Sequence, residues 1–238
     1  MNSFETYSSI ILKAFLLHAK QQEVIERKNE IVSKISDSYN EDFQKILFVG
    51  FNPAIFALNN RDLYCIQIDK VGLDFLHQNK IKIKPLTAIK EKFDLVFAAD
   101  EFFTFAETED KQRDLIKSFC NITQSCLVTT LKDYKNIDFR AREYSEPAIL
   151  RNNNKIDSFT EIHNWNLDDR YSFETYTYYL GQNNAEHLGT FPRRTLFFKQ
   201  LAKITSDVGA SNFLVHKNLM YKSLIKKNYE HVISIDFK

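Results

Sequence analysis

The chain has 238 residues, of which 44% are hydrophobic and 26% charged, and its formal net charge is +1. That length buries a sizeable core as one domain, and a charge so close to zero excludes a surface built throughout for nucleic acid. Cys65, Cys120 and Cys126 lack C-x-x-C spacing, which excludes a disulfide framework or a zinc knuckle and leaves buried thiols; no metal site is expected.

Residues 4 to 38 contain no Gly or Pro, and Ile10, Ala14, Leu17, Val24, Ile31 and Ile35 recur at helical steps. This predicts an N-terminal helical extension over about residues 1–40, with a break or exposed segment near the polar stretch Lys20 to Asn29. A covering helix is the reading; the seam does not last the three or four heptads of a coiled-coil arm, so homo-oligomer formation through this helix is the alternative. No basic head leads into a long apolar core, and no apolar run reaches the roughly 20 residues that span a bilayer, so no membrane partner and a cytoplasmic location are expected.

The stretch Lys45 to Asp69 organises the rest. Ile46 to Val49 is a short, bulky run suited to a strand buried on both faces, and it stops at Gly50. Asn52 and Pro53 supply an N-cap and a helix-compatible first position for a short helix through Leu58. A second strand, Leu63 to Ile68, ends on Asp69. Strand, glycine turn, helix, strand and terminal acid form the mononucleotide-binding half of a doubly wound sheet, where ligands sit beyond the carboxyl ends of the strands.

The alternation continues with a helix around Val71 to His77, strands at Ile81 to Leu86 and Phe93 to Ala98, a helix from about Glu107 to Gln124, and a strand at Cys126 to Leu131. Strands separated by short helices imply parallel pairing. Residues 132–191 are polar and aromatic, with strand content at Ala148 to Leu150, Ile156 to Ile162 and Phe173 to Tyr179 and a turn at Asn152 to Asn154. They read as an inserted β-hairpin or small antiparallel sheet lying as a lid over the carboxyl ends. A helix from about Arg194 to Val208, a strand Asn212 to His216, a helix from about Leu219 to Lys227 and a strand Glu230 to Phe237 close a single domain spanning 1–238.

The series Phe48-Val49-Gly50-Phe51-Asn52-Pro53-Ala54, Ile68-Asp69 and Phe93 to Glu101, with the late helix and two closing strands, resembles a class I S-adenosylmethionine-dependent methyltransferase over about residues 45–131 and 193–237. The resemblance implies a Rossmann-like, mostly parallel sheet of seven strands with an antiparallel edge strand. It further implies that S-adenosylmethionine is the cofactor. The loop Gly50, Phe51, Asn52, Pro53 would wrap its methionine end, Asp69 its ribose hydroxyls, Lys70 and Val71 one side of its adenine and Thr87 or Ala88 the other. Asp100 and Glu101 would stand at the mouth. Phe48 occupies the position of the family's usual acid, Asn52 the second glycine and Ala54 the third.

Glu101, His163 and His187 are the candidate bases, each with an ordinary structural role as the alternative. Asp168-Asp169 reads as a turn or cap. The interleaved Arg140, Arg142, Tyr144, Arg193, Arg194, Lys217, Tyr221, Lys222, Lys226 and Lys227 suit either a nucleic-acid surface or a solvated helix face with paired arginines, and the near-zero charge favours the latter. Three functions follow: methyl transfer to an unidentified small-molecule or macromolecular acceptor, a catalytically inactive methyltransferase-like scaffold whose cleft is filled by Phe48, Phe51 and Phe56, or nucleic-acid binding.

Overall fold

Four short apolar runs and one alternating Ile/Lys stretch become five parallel strands, each too short for a helix. In the computed structural model, which describes residues 3–40, 42–58, 60–66, 68–85, 89–134, 142–152, 155–227 and 229–237, these are β1 (Lys45–Val49), β2 (Asp62–Ile66), β3 (Ile83–Pro85), β4 (Phe93–Ala98) and β5 (Thr123–Leu131). With β11 (Asn212–Lys222) and β12 (Tyr229–Asp236) they form a seven-stranded sheet in the order β11-β12-β5-β4-β1-β2-β3. β12 runs antiparallel to both of its neighbours, so the reversed strand lies one position in from the edge.

The N-terminal stretch divides into α1 (Ser3–Leu16) and α2 (Gln21–Tyr39), breaking just ahead of the polar segment, which is helical from Gln21 and buries Val24 and Lys28 on its inner face. α2 lies along one face of the sheet. Its Lys28 sits beside Tyr221 at the carboxyl edge, and its Tyr39 hydroxyl donates to Ser234 at 2.9 Å and to Asp236 towards the amino edge. α4 (Glu109–Ile122), capped by the Thr108 side chain, pairs with α5 (Phe198–Ser206). α3 (Lys70–Gln78) follows β2.

The inserted segment is a five-stranded antiparallel sheet of β6 (Glu143–Tyr144), β7 (Ala148–Asn152), β8 (Lys155–Trp165), β9 (Ser172–Leu180) and β10 (Ala185–Arg194). Along β8, Phe159, Glu161, His163 and Trp165 face inward by the two-residue period of a strand. Asn153 and Asn154 of the expected turn lie outside the described residues.

One expected element is absent. Leu219 to Lys222 continue β11 beyond a bulge at His216/Met220 instead of starting a helix, pairing Met220 with His231 and Tyr221 with Glu230. The alternating ladder wins because it delivers Tyr221 to Asp100, and the loop after it delivers Lys226 to buried carboxylates, which no helix over 219–227 could do together. All three cysteines are free and buried. No helix among the described residues is long and apolar enough to cross a membrane.

Gly50 and Gly209 both adopt positive φ, +80° and +89°. A Cβ at Gly50 would lie 2.7 Å from the Phe4 ring, whereas one at Gly209 meets nothing within 4 Å. Gly209→Ala is expected to cost only backbone strain, about 1–2 kcal/mol, and Gly50→Ala that plus about 1–3 kcal/mol of overpacking. Urea denaturation distinguishes them, and equal losses would contradict the close approach of α1 to the first loop.

Candidate functional site

The carboxyl edge of the large sheet is covered from two sides. α1 lies over the loops that follow β1 and β2, and the inserted sheet lies over those that follow β4 and β5.

Under α1, the chain leaves β1 through Gly50, whose amide donates to Ile66 O at 2.9 Å. Asn52 caps the following 3-10 turn by accepting from the Ala54 amide at 3.0 Å, as its place before Pro53 predicts. The Phe51 amide donates to Ser8 Oγ of α1 at 2.7 Å, and the Phe4 ring rests on Gly50. Phe4 packs edge-on against Phe102 and Phe105, with centroids 4.7 and 4.8 Å away, and Phe15 stacks on Phe56. Phe51, Asn52, Pro53, Ala54 and Ile55 are all buried.

Asp69, half-buried at the tip of β2, accepts from the Gly72 amide through Oδ1 at 2.8 Å and so caps α3. Its Oδ2 makes no hydrogen bond or ion pair among the described residues. Lys70 and Val71 are exposed beside it. Thr87 and Ala88 lie outside the described residues. The ribose side of the implied cofactor thus has a fitting acceptor in Asp69 Oδ2, while α1 fills the space over the first loop that the methionine side would take.

Under the inserted sheet lies a buried ionic cluster. Asp100 and Glu101, directly after β4, are non-glycine residues both at φ +54°. Two consecutive left-handed residues cost of order 1–3 kcal/mol each, and such strain is held only where its surroundings over-determine it. Here the restraint is visible. Lys226 Nζ lies 2.7 Å from Glu101 Oε2, 2.9 Å from Glu230 Oε1 and 3.8 Å from Glu161 Oε2. Arg193, wholly buried, donates from Nε to Thr104 at 2.7 Å, approaches Glu101 to 3.6 Å and lies over the Phe105 ring. Tyr7 donates to Glu161 at 2.8 Å, Tyr134 to Glu101, Tyr221 to Asp100 at 2.9 Å and Thr130 to Glu230.

Four carboxyl groups therefore surround Lys226 and Arg193, with Lys132 and Lys28 farther off, and they divide the charge unequally. Burial opposes ionisation of Glu101 and Glu161. The Lys226 ammonium nonetheless holds Glu101 well below the usual carboxylate range, with help from Arg193, and Glu161 at about 2, with help from His163. Glu230 is pushed up to about 7 by burial and by the neighbouring Glu101 and Asp100 charges, against the pull of Lys226. Burial lowers the pKa of His163, which stands between Glu161 and Glu143. Asp100 Oδ1 and Arg193 Nη1 are buried without a hydrogen-bond partner among the described residues.

The structure brings Glu101 and His163 together through Glu161 and Lys226, and leaves His187 on the exposed outer strand β10 against Tyr178 and Thr190. Arg193, Tyr221 and Lys226 belong to the buried cluster, so they form no exposed basic-aromatic surface, and the expected solvated helix face that carried Tyr221 and Lys226 is strand and loop. Arg140 lies outside the described residues. Asp169 accepts from the Tyr171 amide and pairs with Arg194, as a turn residue does. No group of residues able to hold a metal ion occurs among the described residues. Sequence reasoning missed Glu161 and Glu230 as members of the cluster. The usable signal was phase, since Glu161 shares the inward positions of β8 with Phe159 and Trp165.

No family model and no curated protein matches the chain. Solved structures do. An S-adenosylmethionine-dependent methyltransferase from Clostridium acetobutylicum superposes with a TM-score of 0.64 at 9% identity, covering 89% of this chain and 91% of that one. CalS10, an amino pentose methyltransferase from Micromonospora echinaspora solved with S-adenosylmethionine bound, gives 0.63 at 9% identity over 90% and 91%. The sugar N-methyltransferase KedS8 from Streptoalloteichus gives 0.60 at 9% identity over 92% and 90%. The chain has the class I S-adenosylmethionine-dependent methyltransferase fold, inserted sheet included.

Removing the Lys226 ammonium leaves buried carboxylates uncompensated, so Lys226→Met is expected to destabilise by about 3–5 kcal/mol in urea denaturation. A second measurement isolates Glu230. Its folded carboxyl titrates at about 7 and its unfolded one at 4.5, so the folded state holds an extra proton between those values; stability is full below 4.5 and falls as pH rises through 7. Glu230→Gln is expected to remove a fall on the order of 3 kcal/mol between those limits, and parallel stability curves for the two proteins would contradict the assignment.

Proposed function

We propose that this chain transfers a methyl group from S-adenosylmethionine to a small-molecule acceptor. One observation carries the reading: Gly50 after β1, Asp69 after β2 and Asp100-Glu101 after β4 lie along one edge of a sheet in the order β3-β2-β1-β4-β5-β12-β11, with a second sheet closing over that edge. The sugar and amino-sugar methyltransferases of the same fold support a small acceptor.

S-adenosylmethionine supplies an electrophilic methyl group on a sulfonium sulfur. In this reading Asp69 Oδ2 accepts from the ribose hydroxyls in charge-assisted bonds, Lys70 and Val71 border the adenine, and the Gly50 to Pro53 backbone receives the methionine end. α1 is then a cover that withdraws Phe4 and Ser8 to admit the cofactor. Asp100, with one unpartnered oxygen, faces the acceptor. Methyl transfer needs chiefly alignment, helped by a base where the acceptor must lose a proton. Glu230 suits that task better than Glu101, since a carboxyl titrating near 7 accepts a proton at neutral pH while an ion-paired one well below its normal range is a poor base.

A second reading has its own observation. The contacts of Ser8 with the Phe51 amide and of Phe4 with Gly50 also describe a permanent plug, with Phe15, Phe51 and Phe56 completing the fill, as in a scaffold that keeps the fold and has lost the ligand.

Thermal-shift titration with S-adenosylhomocysteine separates the two. The enzyme reading expects a saturable rise in Tm that Asp69→Ser weakens at least tenfold; serine retains the helix cap, so the loss reports the carboxylate. No rise up to millimolar ligand would leave the plugged scaffold as the function.

A further inference from the structure

Between α2, strand β7 and the turn from β11 to β12 lies a cavity of about 240 Å³ that no residue of the ionic cluster lines. Its walls are apolar, formed by Val24, Ile31, Leu150 and Leu224, all buried or nearly so. No aspartate or glutamate lines it, whereas Arg27, Lys28, Lys222 and Lys227 do. Lys227 is neutralised by Glu146 at 3.0 Å. Arg27, Lys28 and Lys222 have no carboxylate within ion-pair distance among the described residues.

Lys28 is the telling residue. It is only 5% exposed, and its ammonium donates to the Lys222 carbonyl at 2.5 Å and lies 3.3 Å from the centroid of the Tyr221 ring. A carbonyl and a ring face carry no net charge, and the Asp100 and Glu230 carboxylates attract the ammonium only from beyond ion-pair distance, so burial still lowers its pKa to about 8. An apolar hollow lined by three cations without an ion-pair partner among the described residues, and by no acid, is complementary to an anion with a hydrocarbon part.

We propose that this cavity binds a small amphiphilic organic carboxylate, its charged group at Lys28, Arg27 and Lys222 and its hydrocarbon part against Val24, Ile31, Leu150 and Leu224. The site adjoins the ionic cluster through Tyr221, which Lys28 touches on its ring and Asp100 on its hydroxyl. Occupation of the cavity therefore acts on the group that holds one of the two left-handed residues after β4.

Isothermal titration of the full chain with octanoate, octylamine and inorganic phosphate, each without any nucleoside present, tests this independently of methyl transfer. Octanoate is expected to bind one per chain, octylamine and phosphate not at all, and Lys28→Met to weaken octanoate at least tenfold. Arg27→Glu, at an exposed position that folding does not depend on, is expected to weaken it as well and keeps the test valid if Lys28→Met fails to fold. Absence of octanoate binding, equal binding of octylamine, or octanoate binding unaffected by Arg27→Glu would each overturn the proposal, and phosphate binding in its place would assign the cavity to an inorganic anion.

Discussion

A single ammonium joins the two sheets. Lys226, on the loop between β11 and β12, reaches Glu101 after β4, Glu230 at the start of β12 and Glu161 in the middle of β8, so one side chain ties the end of the parallel sheet to the inserted one. Arg193 helps it at Glu101, and Lys28 and Lys132 act from farther off, yet burial and the neighbouring carboxylates still raise the pKa of Glu230 to about 7. Buried ionic groups are costly relative to apolar packing. A chain that keeps four carboxyls under a lid, next to two strained backbone positions, is holding an arrangement that packing alone would not select.

The opposite half of the same edge is governed by aromatic packing. α1 lays Phe4 and Phe15 across the loop after β1, and the helix is fixed by contacts to both sheets: Ser8 to Phe51 on one side, Tyr7 to Glu161 and Phe191 on the other. The element that covers the loops after β1 and β2 therefore also touches the charged cluster. Phe4 over Gly50 and Tyr7 on Glu161 thus lie on the same helix, one turn apart.

Much of this was legible in the order of residues. The strands β1 and β4 end where their apolar runs end, and Asn52 and Asp69 act as the caps that their positions before Pro53 and ahead of α3 require. Those are local signals, set by neighbours along the chain. The misreading of Leu219 to Lys227 as a helix came from the same local reasoning, because nothing nearby reveals that Tyr221 and Lys226 are held by Asp100 and Glu101, more than a hundred residues away. The cluster was hidden for the same reason: Glu101, Lys226 and Glu230 come from separate parts of the large sheet, and Glu161 and Arg193 join them only when the inserted sheet docks. Likewise, the apolar periodicity of the N-terminal stretch identified a covering helix without showing what it covers.

Hydrogen–deuterium exchange with and without saturating S-adenosylhomocysteine tests the central claim that α1 is a movable cover over a nucleoside site. The account predicts faster exchange in residues 3–16 as Phe4 and Ser8 leave the loop, together with slower exchange around Gly50 to Ala57 and Asp69 to Leu73. Unchanged exchange in both regions at millimolar ligand would contradict it and make the helix a fixed part of the core.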